Sequence, residues 1–410
     1  MLKIRKEHIA LSIDIFLVVV IVVSFGLYIK RQLPPPPLGE QFIPCFPKNE
    51  QGKPVVNSDC LAKVTHTLLA THSTKEVMDH VAEYIGNSDL RNQCHVIAHM
   101  IGRETFAKTH SVDGAIAQCT SACNDGCMHG VLGGAVLFAL GNEADPDLIE
   151  KADEATLVQL GNTYCAESET GLCHGIGHIF YERYGDLTKA LHSCDRMDTK
   201  RERCYQGVFM EGSGAPESLL FNNTQKTHPS EDYTQPCSGI AVPYQHACYM
   251  FLPHYQRRLF EMRGITKNSD RFAVMKNECE TLKESARMDC FEGYGYTTLR
   301  KEEVQTHCNE LLQASDRDAC TLGYAHSLSV FEHLPNVTNY CAGITEESRK
   351  TLCYQVAFQL VALTRTPTDA LLLKECGAGA NPYECTEQLH RYQEIKATLP
   401  DYIDGLSRVH

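Results

Sequence analysis

Closely spaced cysteine pairs constrain what this chain can fold into more than any other feature of its sequence. All 20 cysteines lie after residue 44, and such a density is typical of proteins that fold in an oxidising compartment. Beyond residue 160, successive cysteines are separated alternately by short and long intervals, and each short interval is seven to eleven residues long. We predict a disulfide across each short interval: Cys165–Cys173, Cys194–Cys204, Cys237–Cys248, Cys279–Cys290, Cys308–Cys320, Cys341–Cys353 and Cys376–Cys385.

The six cysteines nearer the N-terminus are placed less regularly. Cys119 and Cys127 have the spacing of the later pairs, so we predict the disulfide Cys119–Cys127. Cys123 has two candidate partners, Cys94 and Cys60, and spacing alone does not choose between them. The pairing stays open for four cysteines: Cys45, Cys60, Cys94 and Cys123.

The segments between the cysteine pairs have the pattern of a helical repeat. The second cysteines of successive pairs lie 30 to 44 residues apart, which is the length of a two-helix unit. Four of the segments that follow carry a glycine at the third position after cysteine, as in "CMHGVLGG" and "CFEGYGY". Asp113 and Asp186 occupy positions where helix N-caps are expected. Because a two-helix unit cannot bury its own apolar face, such units stack and share a continuous core.

The predicted fold class is therefore all-α. We expect a solenoid of about eight two-helix repeats stapled by disulfides, together with an N-terminal transmembrane helix.

One stretch resembles a known repeat family. "GHIFYERYGDLTKAL", at residues 177–191, has the small–aromatic–Gly–Asp–Lys–Ala order of Sel1-type units. In architecture the chain is similar to disulfide-stapled relatives of tetratricopeptide and Sel1-type repeats, and the match covers one unit well. The resemblance implies a binding scaffold with a concave surface, and no catalytic residue is carried over from it.

The N-terminal residues predict a membrane anchor. From Ile9 to Ile29 the sequence is almost entirely apolar, and a run of roughly 20 apolar residues spans a bilayer as a helix. A cleaved signal peptide is the alternative, but its apolar region would be shorter and would end in small residues. The predicted organisation is a short cytoplasmic tail at 1–8, a transmembrane anchor at 9–31, a Pro-rich spacer at 32–44 and a disulfide-rich helical-repeat ectodomain at 45–410. That ectodomain would lie outside the cytoplasm, in a periplasm or at a cell surface.

The charge balance narrows the choice of partners. With 51 acidic and 38 basic residues, the chain has a formal net charge of −13 at pH 7. An acidic surface disfavours nucleic acids and anionic lipids. We therefore expect no nucleic-acid partner, and we expect the ectodomain to favour cations or an extracellular protein partner.

Two histidine pairs distinguish the first half of the chain. "CHVIAH" contains His95 and His99, and "CHGIGH" contains His174 and His178. Residues four apart on a helix face the same way, so each pair has the geometry to bind one metal ion. His129 lies in the unit between them, so helices packed side by side would line one wall with five imidazoles. The candidate metal ligands are His95, His99, His129, His174 and His178, and the candidate cofactor is a transition metal such as zinc.

Three glutamates and two further histidines lie in the helices that follow the cysteines. Glu104, Glu182 and Glu211 follow the histidines and are candidate partners for completing the shell of a metal ion. His254 and His326 lie six residues after their cysteines, and we predict that they are structural.

Three interpretations of the five histidines remain open: structural, metal-binding and catalytic. The chain has no HExxH or GxSxG motif, and we assign no catalytic residue. The predicted function is a membrane-anchored extracytoplasmic scaffold for protein or ligand binding, with a histidine-lined metal site in its first half. The alternative is a metal-dependent enzyme that uses the same five histidines. Imidazole nitrogens more than about 8 Å apart would exclude both metal-based interpretations.

Overall fold

The structure is a computed structural model of the chain. It describes residues 37–50, 54–85, 93–120, 123, 126–141, 147–167, 172–198, 201–213, 232–298, 306–331, 334–365 and 369–395.

The described chain is helical throughout, and the all-α prediction is confirmed. Its only β-type pairing is an isolated bridge between Lys48 and Pro54. Two 3-10 helices, Leu38–Cys45 and Cys237–Gly239, accompany the α-helices. The principal α-helices are α1 (Ser58–Leu69), α2 (Thr74–Ile85), α3 (Cys94–Thr109), α4 (Val112–Ile116), α5 (Gly126–Ala139), α6 (Asp147–Lys151), α7 (Glu154–Glu167), α8 (Leu172–Tyr184), α9 (Leu187–Asp195), α10 (Arg201–Gly212), α11 (Val242–Met262), α12 (Asn268–Glu280), α13 (Glu284–Thr298), α14 (Ala314–Phe331), α15 (Leu334–Ala342), α16 (Glu347–Arg365), α17 (Asp369–Gly377) and α18 (Pro382–Ile395).

The prediction of a helical repeat is also confirmed. An inner series of helices runs through the described chain, in which each helix packs against the next, in the order α3, α5, α8, α10, α11, α13, α14, α16 and α18. Apart from α3, which begins at Cys94, each of these helices carries the second cysteine of its pair. Shorter helices such as α9, α12, α15 and α17 carry the first cysteine and lie outside this series. The inner helices are buried on every side over long stretches, including Gly126–Leu137 of α5 and Leu172–Glu182 of α8. A helix that is apolar around its whole circumference is a core helix.

Local sequence signals begin several of the outer helices. Asp186 caps α9, since its side chain accepts a hydrogen bond from the backbone N–H of Lys189. Helix α4 is capped by Ser111 instead of the expected Asp113, because the Ser111 hydroxyl accepts from the Gly114 N–H. A serine one residue before the helix satisfies the exposed N–H groups of the first turn as well as an aspartate does.

Ten disulfides join the described cysteines, with Cα atoms 5.1 to 5.8 Å apart. Eight of them link the pairs chosen above by spacing. The other two settle the pairing that spacing left open: Cys45–Cys60 and Cys94–Cys123. Cys45–Cys60 joins the 3-10 helix Leu38–Cys45 to α1. Each of the other nine disulfides ties an inner helix to a neighbouring element, so adjacent repeat units are covalently held in register.

Glycines bring successive inner helices into direct backbone contact. A Cβ at Gly102 of α3 would lie 1.8 Å from the carbonyl oxygen of Cys127, and a Cβ at Gly130 of α5 would lie 1.9 Å from that of His99. Only a residue without a side chain permits this approach. The same reciprocal contact joins α8 with α10 and α13 with α14, through these four glycines: Gly177, Gly207, Gly295 and Gly323.

The predicted fold class is corrected in one respect. No helix in the described part of the chain is long and apolar enough to cross a membrane, so the transmembrane helix does not stand as part of the observed fold. The segment 9–31, on which that prediction was based, lies outside the described residues.

Candidate metal centre

Three neighbouring inner helices bring the five predicted histidines together. His95 and His99 come from α3, His129 from α5, and His174 and His178 from α8. The glycine contacts explain their proximity, because the carbonyl of His99 itself touches α5 at Gly130.

His129 lies at the middle of the group. The centroid of its ring is 5.4 Å from those of His95 and His99, and 5.1 and 5.2 Å from those of His174 and His178. Within α3, the Nε2 atoms of His95 and His99 are 2.7 Å apart. Ligand nitrogens of His95, His99 and His129 lie within 4.8 Å of one another, inside the limit of about 8 Å that would have excluded a shared metal ion.

The group is enclosed by protein. The exposed fraction of each histidine is between 1% for His99 and 8% for His174. Burial in a medium of low polarity disfavours the charged form of an imidazole.

Burial lowers the pKa values of four of the histidines. Desolvation is the largest cause for each of them, and neighbouring histidines lower the values further. The pKa of His95 falls to about 3, even though its hydrogen bond to the backbone opposes the shift. The pKa values of His99, His129 and His174 lie well below the usual value. Four rings are therefore neutral at pH 7, and neutral imidazole is the form that binds metal ions.

Two of the rings are oriented by hydrogen bonds on the side away from the group. His95 Nδ1 donates to the carbonyl oxygen of Cys123 at 2.7 Å, and His178 Nδ1 donates to Glu211 Oε2 at 2.7 Å. A carbonyl or carboxylate oxygen accepts such a bond, so Nδ1 carries a hydrogen in each ring, and Nε2 is the nitrogen left for another partner. Histidines that bind metals are commonly held in this way by a carbonyl or a carboxylate.

Three buried nitrogens in the group have no hydrogen-bond partner among the described residues. They are Nδ1 of His99, Nδ1 of His129 and Nε2 of His178. Leaving a buried polar atom unsatisfied costs about 1–3 kcal/mol, so a ligand bound by these nitrogens would offset that cost.

The residues present fit a transition-metal ion. Nitrogen atoms of His95, His99 and His129 lie within 4.8 Å of one another, and His178 presents an unpaired Nε2 beside them. Zinc and similar borderline cations are bound by two to four imidazoles, often without any other protein ligand. Imidazole sets also suit copper, nickel and iron.

The three candidate carboxylates have different environments. Glu211 orients His178, as described above. Glu104 accepts a hydrogen bond from Nδ1 of His66 at 2.6 Å, at the edge of the molecule. Glu182 is buried, and desolvation followed by the charge of Glu211 raises its pKa well above the usual value. Glu211 therefore contacts the histidine group directly, through its hydrogen bond with His178.

Two contacts of the group were not anticipated from the sequence. The sulfur of Met210 lies 3.2 Å from Nε2 of His174, and the backbone oxygen of Cys123 holds His95. Neither has a sequence signal, because one depends on the packing of α8 against α10 and the other on which disulfide Cys123 forms.

The two histidines predicted to be structural lie outside the group. The ring of His254 is stacked on Phe251 with centroids 6.0 Å apart, and the ring of His326 lies 4.7 Å from that of Tyr296.

Together the fold and the site define a disulfide-stapled α-helical repeat protein with a buried histidine centre. No protein-family model, no curated protein and no solved structure matches the chain. The resemblance to tetratricopeptide and Sel1-type repeats therefore stays a prediction at the level of the family.

Proposed function

We propose that this protein binds a transition-metal ion, such as zinc, at the centre formed by His95, His99, His129, His174 and His178, in an oxidising compartment outside the cytoplasm. The single observation that carries the proposal is that ligand atoms of His95, His99 and His129 lie within 4.8 Å of one another, while Nδ1 of His99 and Nδ1 of His129 are buried without a hydrogen-bond partner in the described structure.

A purely structural role accounts poorly for this arrangement. His99 and His129 are 1% and 6% exposed, they lie next to each other, and Nδ1 of each has no hydrogen-bond partner among the described residues. A cation with vacant coordination positions would give several of these nitrogens a partner at once. The hydrogen bonds to the Cys123 carbonyl and to Glu211 then act as supports that hold the lone pairs of His95 and His178 toward the ion.

The centre favours binding over catalysis. A catalytic metal ion keeps one coordination position open for substrate or water, and that position has to be reached from solvent. Five rings that are each at most 8% exposed supply enough nitrogens to enclose an ion without water. The enzyme alternative with the same five histidines is therefore the second candidate, and it requires movement of the protein to admit a substrate.

The disulfides support the proposal of an oxidising compartment outside the cytoplasm. Ten disulfides and no free cysteine among the described residues are typical of proteins outside the reducing cytosol. Within this proposal, the helical repeat serves as the rigid frame of the metal centre. A scaffold of the tetratricopeptide or Sel1 type that also binds an extracellular protein remains an expectation from the sequence.

Cobalt(II) titration tests the proposal. Cobalt(II) bound by imidazoles absorbs in the visible range, so the full chain, freed of metal with a chelator, is titrated while its spectrum is recorded. We expect a band that saturates in the wild type and is lost in His129→Asn. His326→Asn is the matched control, because His326 is also buried and its pKa is also lowered to about 3. Absence of a band in folded wild-type protein, or an unchanged band in His129→Asn, would contradict the proposal.

A further inference from the structure

We propose that the thioether sulfur of Met210 is a further ligand of the histidine centre, beside His174, and that it gives the centre a preference for copper(I). The inference rests on the proposed metal centre and deepens it, because it names the class of ion that the centre takes.

The sulfur and an imidazole nitrogen lie at nearly the separation of two ligands on one ion. Sδ of Met210 is 3.2 Å from Nε2 of His174. A tetrahedral ion with nitrogen at about 2.0 Å and sulfur at about 2.3 Å holds these two atoms about 3.5 Å apart. Met210 and His174 are 5% and 8% exposed, so an ion bound between them would be shielded from water.

Without an ion, this contact is a weak hydrogen bond for a buried imidazole. A thioether is a weak acceptor, and a buried N–H group that lacks a good acceptor keeps much of the cost of its lost hydration. An ion bound by lone pairs of the nitrogen and the sulfur would replace the weak contact with two bonds to metal.

A third donor is available beside the pair. The ring centroid of His178 lies 4.9 Å from that of His174, and Nε2 of His178 has no hydrogen-bond partner among the described residues. Two imidazoles and one thioether are three neutral donors. Burying a single charge among neutral donors costs less hydration free energy than burying a double charge, which favours a monovalent ion over Zn²⁺.

One turn of α10 places the supports of two histidines against α8. Met210 and Glu211 are consecutive residues of α10. They contact two histidines that lie four positions apart on α8, His174 and His178. Three positions before Met210, a Cβ at Gly207 would lie 1.8 Å from the carbonyl oxygen of His174. This backbone contact holds the sulfur beside the imidazole, and ligands on rigid, closely packed elements are placed accurately.

The chemistry of the sulfur selects the ion. Thioether ligands favour Cu(I), whereas Zn²⁺ is bound by imidazole, thiolate and carboxylate groups. The chain has 20 cysteines, and all of them form disulfides. No thiolate is therefore left to bind an ion, and a methionine is the sulfur ligand that remains.

Uptake of copper(I) by the full chain tests the inference. The protein, freed of metal, is mixed without oxygen or thiols with the coloured complex of Cu(I) and bathocuproine disulfonate, and loss of the colour measures the transfer. Wild type should take up Cu(I). Met210→Leu should weaken the affinity by roughly tenfold or more, because leucine has nearly the same volume but no sulfur. The affinity of this variant for Zn²⁺ should change less than about threefold, since zinc does not favour a thioether.

Met250→Leu is the matched control. Met250 is 1% exposed, and its sulfur accepts a hydrogen bond from Nε2 of Gln206 at 3.4 Å. This substitution therefore removes a buried thioether that contacts an amide instead of a histidine, and Cu(I) affinity should stay at the wild-type value. Equal Cu(I) affinities in the two variants, or a wild type that takes up no Cu(I), would overturn the inference.

The cobalt(II) titration separates this inference from the proposed function. Wild type that binds cobalt(II) and takes up no Cu(I) contradicts the inference alone, whereas wild type that binds neither ion contradicts both. X-ray absorption at the copper edge of Cu(I)-loaded wild type adds a result that depends on no variant. A sulfur neighbour at about 2.3 Å from copper is expected, and a shell of nitrogen atoms alone would overturn the inference.

Discussion

His178 donates its Nδ1 proton to Glu211 across the interface between two inner helices, at 2.7 Å, with both side chains at most 10% exposed. This contact connects the packing of α8 and α10 to the chemistry of the histidine centre, because it holds the ring of His178, whose Nε2 has no hydrogen-bond partner among the described residues, beside the ring of His129. The close approach of these helices at Gly177 and Gly207 makes the contact geometrically attainable.

Removal of this carboxylate should weaken the metal centre. We expect Glu211→Gln to lower the affinity for Zn²⁺ roughly 10- to 100-fold, the usual effect of losing a partner that orients a histidine ligand. The measurement is competition against a chromophoric chelator. Glu104→Gln is the control, because Glu104 makes the same kind of contact with His66 away from the centre. Equal affinities in the two variants would show that Glu211 does not support a bound ion.

The stability of the metal-free protein should depend steeply on pH. The folded-state pKa of His95 is about 3, and the pKa values of His99, His129 and His174 are lowered in the same direction. Below the unfolded-state value of about 6.5, the unfolded chain therefore binds protons that the folded chain does not, and the free energy of unfolding falls as pH decreases. Each such histidine contributes a slope of about 1.4 kcal/mol per pH unit between pH 6.5 and its folded-state pKa.

Urea denaturation with chelator present, at pH 7, 6 and 5, measures this slope. The urea midpoint should fall at each step. In His95→Gln, the free energy of unfolding should depend less steeply on pH, by the contribution of one histidine. A midpoint that is independent of pH over this range would mean that the buried rings are not neutral in the folded protein.

The glycine contacts give a prediction about stability. Gly130→Ala would place a methyl group 1.9 Å from the carbonyl oxygen of His99. Overpacking of this kind lowers the free energy of unfolding by about 1–3 kcal/mol or more. Metal affinity should fall as well, because relief of the clash moves the backbone of His99.

Gly133→Ala is the matched control for that variant. Gly133 lies in the same helix, and a Cβ there would meet no atom within 4 Å. Alanine is the better helix former, so this substitution should raise the free energy of unfolding by roughly 0.5–1 kcal/mol. Similar midpoints for the two variants in chemical denaturation would contradict the backbone contact between α3 and α5.

The disulfides should differ in their effect on the metal centre. Cys94→Ala/Cys123→Ala opens a staple with a sequence separation of 29, which should cost roughly 3–4 kcal/mol in the chain-entropy account. It should also weaken metal binding, because the Cys123 carbonyl accepts the proton of His95.

Cys376→Ala/Cys385→Ala provides the comparison, since this staple joins α17 and α18 at the far end of the array. Its loss should cost roughly 2–3 kcal/mol and leave metal affinity unchanged. If both double variants bind zinc equally well, the Cys94–Cys123 staple has no part in positioning His95.

Most of the disulfides and the two histidine pairs could be predicted from local sequence, because they depend on short spacings. Cysteines eight to twelve positions apart identify the staples, and histidines four apart after a cysteine identify one face of a helix. The sequence could not decide that Cys123 pairs with Cys94, because the two cysteines are 29 positions apart and a whole repeat unit lies between them. Their pairing depends on how α3 and α5 pack.

The central claim is that the five histidines hold a metal ion, and the elemental content of the purified protein tests it most directly. The full chain would be produced in an oxidising host compartment and analysed by mass spectrometry beside His174→Ala/His178→Ala, with folding of both checked by circular dichroism. Our account predicts close to one equivalent of zinc, copper, nickel or iron in the wild type and its loss from the folded variant. Folded wild-type protein without such a metal, even after incubation with these ions, would contradict the account and leave the histidines a structural feature of the repeat.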